Sequence, residues 1–443
     1  MSSDSTQAKP LGFWMCTALI VGNVIGMGIF MLPASLAPYG WNAFLGWGIT
    51  LVGCVMIAQV FANLARAFPE DDGPYAYMKR AFGNGITFFV MWCYWVSIWI
   101  TNATVAIGVV GYLSSLLPVL NQEAWYAPAA ALALIWFFVF ISLRGARASG
   151  HVQMLTTVLK LLPMLGVLVL GVYVLLFDPQ LFKANLPTVA LSIEGTTAAA
   201  TIAMFAMLGV ESATVPAGKV QNPARTIPRA TIFGTLLAAA IYIGVSAIPL
   251  LLMPSKELAQ SSAPFVDLFQ RYVPGNVGVW VALFVVISGL GALNGWTLLA
   301  GEMTASLAKH GVFPAKLEQH NRHAAPALAL WLTGALASAM IIMNYSRNLA
   351  QGFTFLSVMV TAANMPLYLM GAIGLFLLWK RKQVAVGNGS LWLRISAVLA
   401  AVYVVWAFIG IGSESLLWVS VLGAVGLPVY WRTRWFRKKT RVD

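Results

Sequence analysis

Long apolar runs separated by short polar turns dominate the chain. Leu11 to Leu36, Asn42 to Ala65 and Ile86 to Val110 each continue with almost no charge for more than about 20 residues, the length a helix needs to cross roughly 30 Å of hydrocarbon. In lipid only helices and closed barrels satisfy their own backbone groups, and these runs lack the two-residue alternation of barrel strands. The pattern predicts an all-α integral membrane protein. Hydropathy and turn signals place twelve transmembrane helices at 11–36, 42–67, 86–116, 125–143, 152–177, 196–213, 229–253, 277–308, 326–344, 351–379, 391–411 and 415–431. The first run follows a polar head, 1–10, and is longer than a signal-peptide core, with no credible cleavage site behind it, so it reads as a retained helix.

Two spans are interrupted in comparable ways. The first contains Gly22-Asn-Val-Ile-Gly26-Met-Gly28, and the sixth contains Phe205-Ala-Met-Leu-Gly209-Val-Glu211-Ser. They lie five spans apart, and an odd offset reverses the second copy in the membrane. The expectation is an inverted 5+5 repeat with broken helices 1 and 6: one five-helix unit over 11–180, an inverted second over 190–380, and two further helices over 391–431.

Composition agrees with this reading: of 443 residues 60% are hydrophobic and 9% charged, against about a quarter charged in ordinary soluble domains. The net charge of +13 could point to nucleic acid, but its distribution does not. With both termini cytoplasmic, 22 of the 27 basic residues fall inside, four fall outside and Lys160 stays within a span. The basic tail 432–443 therefore reads as an orientation and headgroup anchor, and the lipid bilayer rather than nucleic acid is the partner. Cys16, Cys54 and Cys93 all sit in spans, where cysteine acts as a small apolar residue. His320 and His323 have no neighbouring cysteine or further ligand, so no metal site is expected. No cofactor, P-loop or hydrolase motif is present, and an ATP-driven pump or membrane hydrolase lacks its parts.

A few residues could carry chemistry. Gly26 and Gly28 permit an unwound backbone whose N–H groups and half-helix dipole would attract a carboxylate; the plain alternative is close helix packing, and the paired break in span 6 favours binding. Glu211, an acid in span 6, suits a substrate cation, a proton or a gate, or else a protonated structural role. Lys160 suits proton coupling or a fixed charge, or an ammonium tied to carbonyls freed by the first break. Ser97 and Asn102 share a broad face of span 3, where they could orient a ligand or join helices. Trp296, in the middle of span 8, is too deep for the interfacial belt and could stack on substrate.

Several motifs together resemble one family over essentially the whole chain. They are Gly22-Asn-Val-Ile-Gly-Met-Gly-Ile-Phe-Met-Leu-Pro33, Gly73-Pro-Tyr-Ala-Tyr77, Tyr94 to Asn102 with Gly111-Tyr-Leu113, Gly209-Val-Glu-Ser-Ala213 with Asn222-Pro-Ala-Arg-Thr-Ile-Pro228, and Gly295-Trp-Thr-Leu-Leu-Ala-Gly301. The chain is similar to the amino acid-polyamine-organocation transporters, above all the bacterial basic amino acid/polyamine antiporters typified by the arginine/agmatine antiporter. The resemblance implies alternating access in a bacterial inner membrane and is compatible with a homodimer. It implies that backbone around Val24, Gly26, Met27 and Gly28 holds a substrate carboxylate and that carbonyls near Phe205 and Met207 accept its amine. Ser97, Ile98 and Asn102 would meet the side chain, Trp296 and Tyr94 would stack or gate, and Glu211 would lie toward the cytoplasm. The chain departs from the arginine exchanger in having Met27 for a serine, Phe205 for a tryptophan, and Lys160, which resembles the span-5 lysine of sodium-independent and proton-coupled members.

The function expected is sodium-independent exchange of a cationic amino acid, of arginine, ornithine or lysine type, or its amine. Proton-coupled symport of neutral amino acids is the alternative. A membrane enzyme or receptor would have to explain two broken helices without a catalytic constellation.

Overall fold

The computed structural model describes residues 12–68, 73–145, 159–209, 220–384 and 390–439. The first run is divided into α1 (Phe13–Val24) and α2 (Gly28–Leu36), and α3 (Trp41–Ala67) and α4 (Pro74–Leu116) follow. Next come α5 (Tyr126–Ser142), α6 (Leu161–Phe177), the short α7 (Gln180–Ala184), α8 (Ile193–Ala206) and α9 (Pro223–Leu252). After two short helices, α10 (Ser255–Gln260) and α11 (Pro264–Tyr272), the chain continues through α12 (Val277–Lys309), α13 (Ala327–Met343), α14 (Leu349–Lys380), α15 (Ser390–Ile409) and α16 (Ser413–Lys439). Among the described residues seven helices are long and apolar enough to cross a membrane, and four shorter apolar ones accompany them. This is an all-helical integral membrane protein.

α4 forms the middle of the bundle: 94% of its most apolar stretch is buried, against 17% for α16 at the edge. It packs along α12 and α14, while α3 packs on α8, α9 and α15. Without a hydrophobic force between helices in lipid, such packing rests on close backbone approach and polar contacts. The α3 surface supplies both. A Cβ on Gly46 would lie 2.8 Å from the Ala200 nitrogen of α8, and one on Gly53 would fall within the Tyr403 ring of α15. The Tyr403 hydroxyl in turn donates to Thr50 Oγ1 (3.2 Å), which donates to the Ala200 carbonyl (3.1 Å).

Entry into α8 is fixed by Asn42. Its Oδ1 accepts from the Ser192 N–H (2.8 Å) and Thr196 Oγ1 (3.0 Å), and its Nδ2 donates to the carbonyls of Tyr39 (3.0 Å) and Ala190 (2.9 Å). Both lone-pair sites and both protons of a fully buried carboxamide are thereby used.

Two helical regions differ from the hydropathy reading. α4 begins at Pro74 rather than at residue 86, with Gly83 (φ 73°) turning the chain between a leading segment and the span proper. Tyr75, Lys79 and Arg80 make that leading segment too polar to register as a span, yet Pro at the first helical position starts it well. The connection 254–276 carries α10 and α11 where a plain loop is expected. α11 buries Phe265, Val266, Leu268 and Phe269, and the Arg271 Nη1 bonds Glu257 Oε2 of α10 at 2.7 Å. Of span 5, residues 152–158 lie outside the described residues, as do 210–213 of span 6.

Overpacking a tight contact costs about 1–3 kcal/mol. Gly53→Ala is therefore expected to lower the melting temperature of the detergent-solubilised protein by several degrees. Gly48→Ala, on the same helix with nothing within 4 Å of its Cβ position, should leave it unchanged. Equal melting of the two variants would remove the α3–α15 contact as a determinant of stability.

Candidate functional site

The site is built around the interval between α1 and α2. Helical bonding ends as the Ile25 N–H reaches Val21 O (2.9 Å), the chain extends at Ile25 (φ −74°, ψ 90°), and the Phe30 N–H to Met27 O bond (3.2 Å) starts the next helix. Carbonyls at the end of a helix have no intrahelical partner, and hydrocarbon provides none. Two side chains from other helices supply donors. The Tyr242 hydroxyl of α9 bonds Val24 O at 3.0 Å, and the Lys160 ammonium, at the start of α6, bonds Ile25 O at 2.9 Å. A cation at this position also faces the negative end of the α1 dipole. Lys160 is thus tied to a carbonyl freed at the end of α1, and it does not border the cavity.

α2 is positioned from the other side by Tyr112 of α4. Its hydroxyl donates to Phe30 O (2.8 Å) and accepts from the Phe265 N–H (3.2 Å). Met27, 1% exposed, threads between two helices that glycine leaves open. A Cβ on Gly108 of α4 would stand 2.7 Å from its Cγ, and one on Gly289 of α12 would stand 3.1 Å from its Sδ. Gly28 lets the Phe205 ring of α8 approach, since a Cβ there would lie 3.3 Å from Phe205 Cε1. Phe205 meets Phe353 of α14 edge to face at 5.7 Å.

Between these groups lies a cavity of about 30 Å³, enough for about two water molecules. Its walls are Val24 and Gly26 to Gly28, then Tyr94, Ser97, Thr101 and Val105 of α4, and Phe205, Ala206, Leu208 and Gly209 at the end of α8. Tyr242, Trp296 and Asn364 close it. The lining among the described residues carries no ionised side chain: it offers aromatic faces, hydroxyls, the Asn364 carboxamide and backbone.

Eight of the residues expected from sequence therefore meet at one cavity: Val24, Gly26, Met27, Gly28, Tyr94, Ser97, Phe205 and Trp296. Ile98, Asn102 and Met207 do not reach its wall. Asn102 turns toward α12, where its Oδ1 lies 3.4 Å from Thr297 Oγ1. Five residues from Ser97 rotate a helix well past the cavity, whereas four bring Thr101 back onto the same face; that phase was the available signal for Thr101. Met207 lies in the turn that ends α8, its N–H on Met204 O (3.0 Å), and the Phe205 carbonyl already accepts from the Leu208 N–H (3.3 Å). Glu211 lies outside the described residues. Tyr242 and Asn364 came from no local pattern: each is one of several polar residues in its span, with Thr235 and Ser246 near the first and Thr361 and Tyr368 near the second, and nothing in the sequence marks it out. Asn364 Nδ2 bonds Val360 O at 3.1 Å within α14. No group of histidine, cysteine or acidic residues able to hold a metal occurs among the described residues.

Comparison with known proteins gives the same direction. The chain is 33% identical to a Bacillus subtilis (strain 168) protein carrying the provisional name arginine/ornithine antiporter, over 96% of this chain and 97% of that one. It is 33% identical to the cadaverine/lysine antiporter of Escherichia coli (strain K12) over 78% of each chain. With the putrescine transporter PotE of Haemophilus influenzae it shares 29% identity over 96% of this chain and 97% of that one. Since residues 11–430 match the family described as amino acid permease, this chain belongs to that family and is a membrane transporter, not an enzyme.

Proposed function

We propose that the protein is a sodium-independent exchanger of a cationic amino acid, of arginine, ornithine or lysine type, or its amine, across a bacterial inner membrane. The observation that carries this reading is the cavity at the α1–α2 interval. It sets the N-terminus of α2, which favours a carboxylate, beside the aromatic rings of Tyr94, Phe205 and Trp296, which favour a cation. The names of the relatives, which couple a basic amino acid to another cationic solute, support the substrate class. The proposed architecture is twelve spans with both termini cytoplasmic, α1–α2 and the region beginning with α8 being the paired broken helices of an inverted five-helix repeat. Lys160 occupies the end of α1 as a fixed charge, so no sodium ion is required there.

Substrate is larger than the cavity. Binding must therefore move the rings that close it, and their return around the ligand is the gating step of alternating access. Counterflow into proteoliposomes tests the scheme: labelled ornithine, arginine or lysine enters only when a related solute is inside. Equal uptake into empty vesicles sinks obligatory exchange.

A second reading, proton-coupled symport of a neutral amino acid, is favoured by the Lys160 contact, because losing that ammonium's proton would weaken its hold on Ile25 O and so link protonation to the α1–α2 interval. It expects an inward pH gradient to accumulate alanine and Lys160→Ala to abolish the pH dependence. Unchanged transport by Lys160→Ala across pH removes the coupling role.

Loss of a desolvated cation–aromatic contact is worth about 1–2 kcal/mol, so Trp296→Leu should raise the KM for ornithine counterflow roughly five- to thirtyfold with melting temperature preserved. An unaltered KM takes Trp296 out of the binding wall.

A further inference from the structure

Asn364 of α14 borders the central cavity and exposes only 4% of its surface. Its Nδ2 bonds Val360 O at 3.1 Å, one turn back on the same helix, while among the described residues its Oδ1 accepts no hydrogen bond. Packing seals both polar atoms of Asn344 but not Asn364 Oδ1, so this oxygen is open to the cavity that its residue lines. Nearly all buried polar groups in native proteins have partners, and an acceptor left open in a cavity wall is one that a ligand can satisfy. Asn42 and Asn102 spend their oxygens on other helices, at the start of α8 and on α12. Asn364 bonds only its own helix, so joining helices does not account for it.

The packing of α14 on α4 shows which end of the cavity Asn364 serves. The two helices run antiparallel: a Cβ on Gly108 would lie 3.2 Å from Phe353 Cε2, and one on Gly374 would lie 3.3 Å from Ala81 Cβ. Midway between these contacts, Asn364 lies opposite the Tyr94–Ser97 turn, both of whose named residues share the cavity wall with it. Gly108, where Met27 packs, is about three turns further along α4. The cavity therefore has two unlike ends. At one, beside Val105, the N-terminus of α2 favours a carboxylate. At the other, Ser97 Oγ gives its proton to Tyr94 O (2.7 Å), so toward a ligand Ser97 Oγ and Asn364 Oδ1 can only accept.

Resting on the reading of the protein as a carrier of basic amino acids, we propose that Asn364 determines its specificity: Oδ1 accepts a hydrogen bond from the distal ammonium or guanidinium of the substrate. Hydrogen bonds to ionised donors are stronger than neutral ones, so the uncharged oxygen reads the cation although the described wall holds no acid. A side chain without that donor leaves the oxygen unpaired in a desolvated wall, a penalty added to the lost bond.

Displacement binding to the full-length protein in nanodiscs tests this, using whichever of labelled L-ornithine and L-lysine binds more tightly. The competitors are the same amino acid and its analogue without the distal amine, L-norvaline for ornithine or L-norleucine for lysine. The wild type should prefer the basic amino acid at least about tenfold. Asn364→Leu, of similar size, should cut that preference about tenfold by weakening the basic amino acid and not its analogue, a split that a merely structural role would not produce. Asn364→Asp, which keeps an oxygen in place and adds charge, should widen the preference and carries the test if the leucine variant does not fold. A preference kept by Asn364→Leu, or left unchanged by Asn364→Asp where only that variant folds, overturns the proposal and leaves the cationic substrate standing. A wild type that binds neither basic amino acid, or binds the analogue as tightly, overturns the central reading itself.

Discussion

The carbonyl groups of Val24 and Ile25 demand bonds that the end of α1 does not complete: the Gly26 N–H reaches Val24 O (2.9 Å), and the remaining donors come from other helices. In water that demand is trivial; inside a membrane-embedded bundle it decides the architecture. An interval in α1 can exist because α9 brings the Tyr242 hydroxyl and α6 brings the Lys160 ammonium to those two oxygens. Both donors belong to helices remote in sequence, so the interval is a product of the assembled bundle and not of its glycines alone. The cavity, the start of α2 in its wall and the gathering of the three rings all follow from its being held open.

The outer regions show the same demand met by other means. Asn42 satisfies every polar position while it ties the start of α8 to α3, and Tyr112 joins α2 to α11 through one hydroxyl. Glycine brings neighbours closer still, backbone against backbone at Gly46 and the Tyr403 ring against backbone at Gly53. The bundle is therefore held by a small number of long-range polar contacts laid over glycine-lined seams, which is what membrane packing without a hydrophobic driving force requires.

How much of this was legible in the sequence depends on the length over which each signal acts. Spans such as α3 and α12 were readable almost to the residue, because continuous hydropathy needs no tertiary information. The start of α4 was not, since Lys79 and Arg80 hide a helix that only Gly73-Pro74 and the turn at Gly83 delimit. At the site, the glycine motif and the family resemblance led to Val24 through Gly28 and to Phe205 and Trp296. The sequence reading named Asn102, whereas the cavity wall carries Thr101, one residue of helical phase away. Tyr242 was invisible for a different reason: one polar residue among several in its span acquires meaning only when its partner is seen in space.

Met27 shows how far such dependence reaches. Its side chain occupies room left jointly by Gly108 and Gly289, on two helices that approach from opposite sides of the break. The three positions are one decision spread over three spans. A serine at 27 would leave a hollow beside Gly108, whereas the methionine excludes any side chain there; at 289 a Cβ meets Val109 Cγ2 at 2.4 Å before it meets Met27 Sδ, so that glycine is held by α4 as well. The size of the residue at 27 and the absence of a side chain at 108 are therefore a single constraint, and neither can be altered without answering for the other.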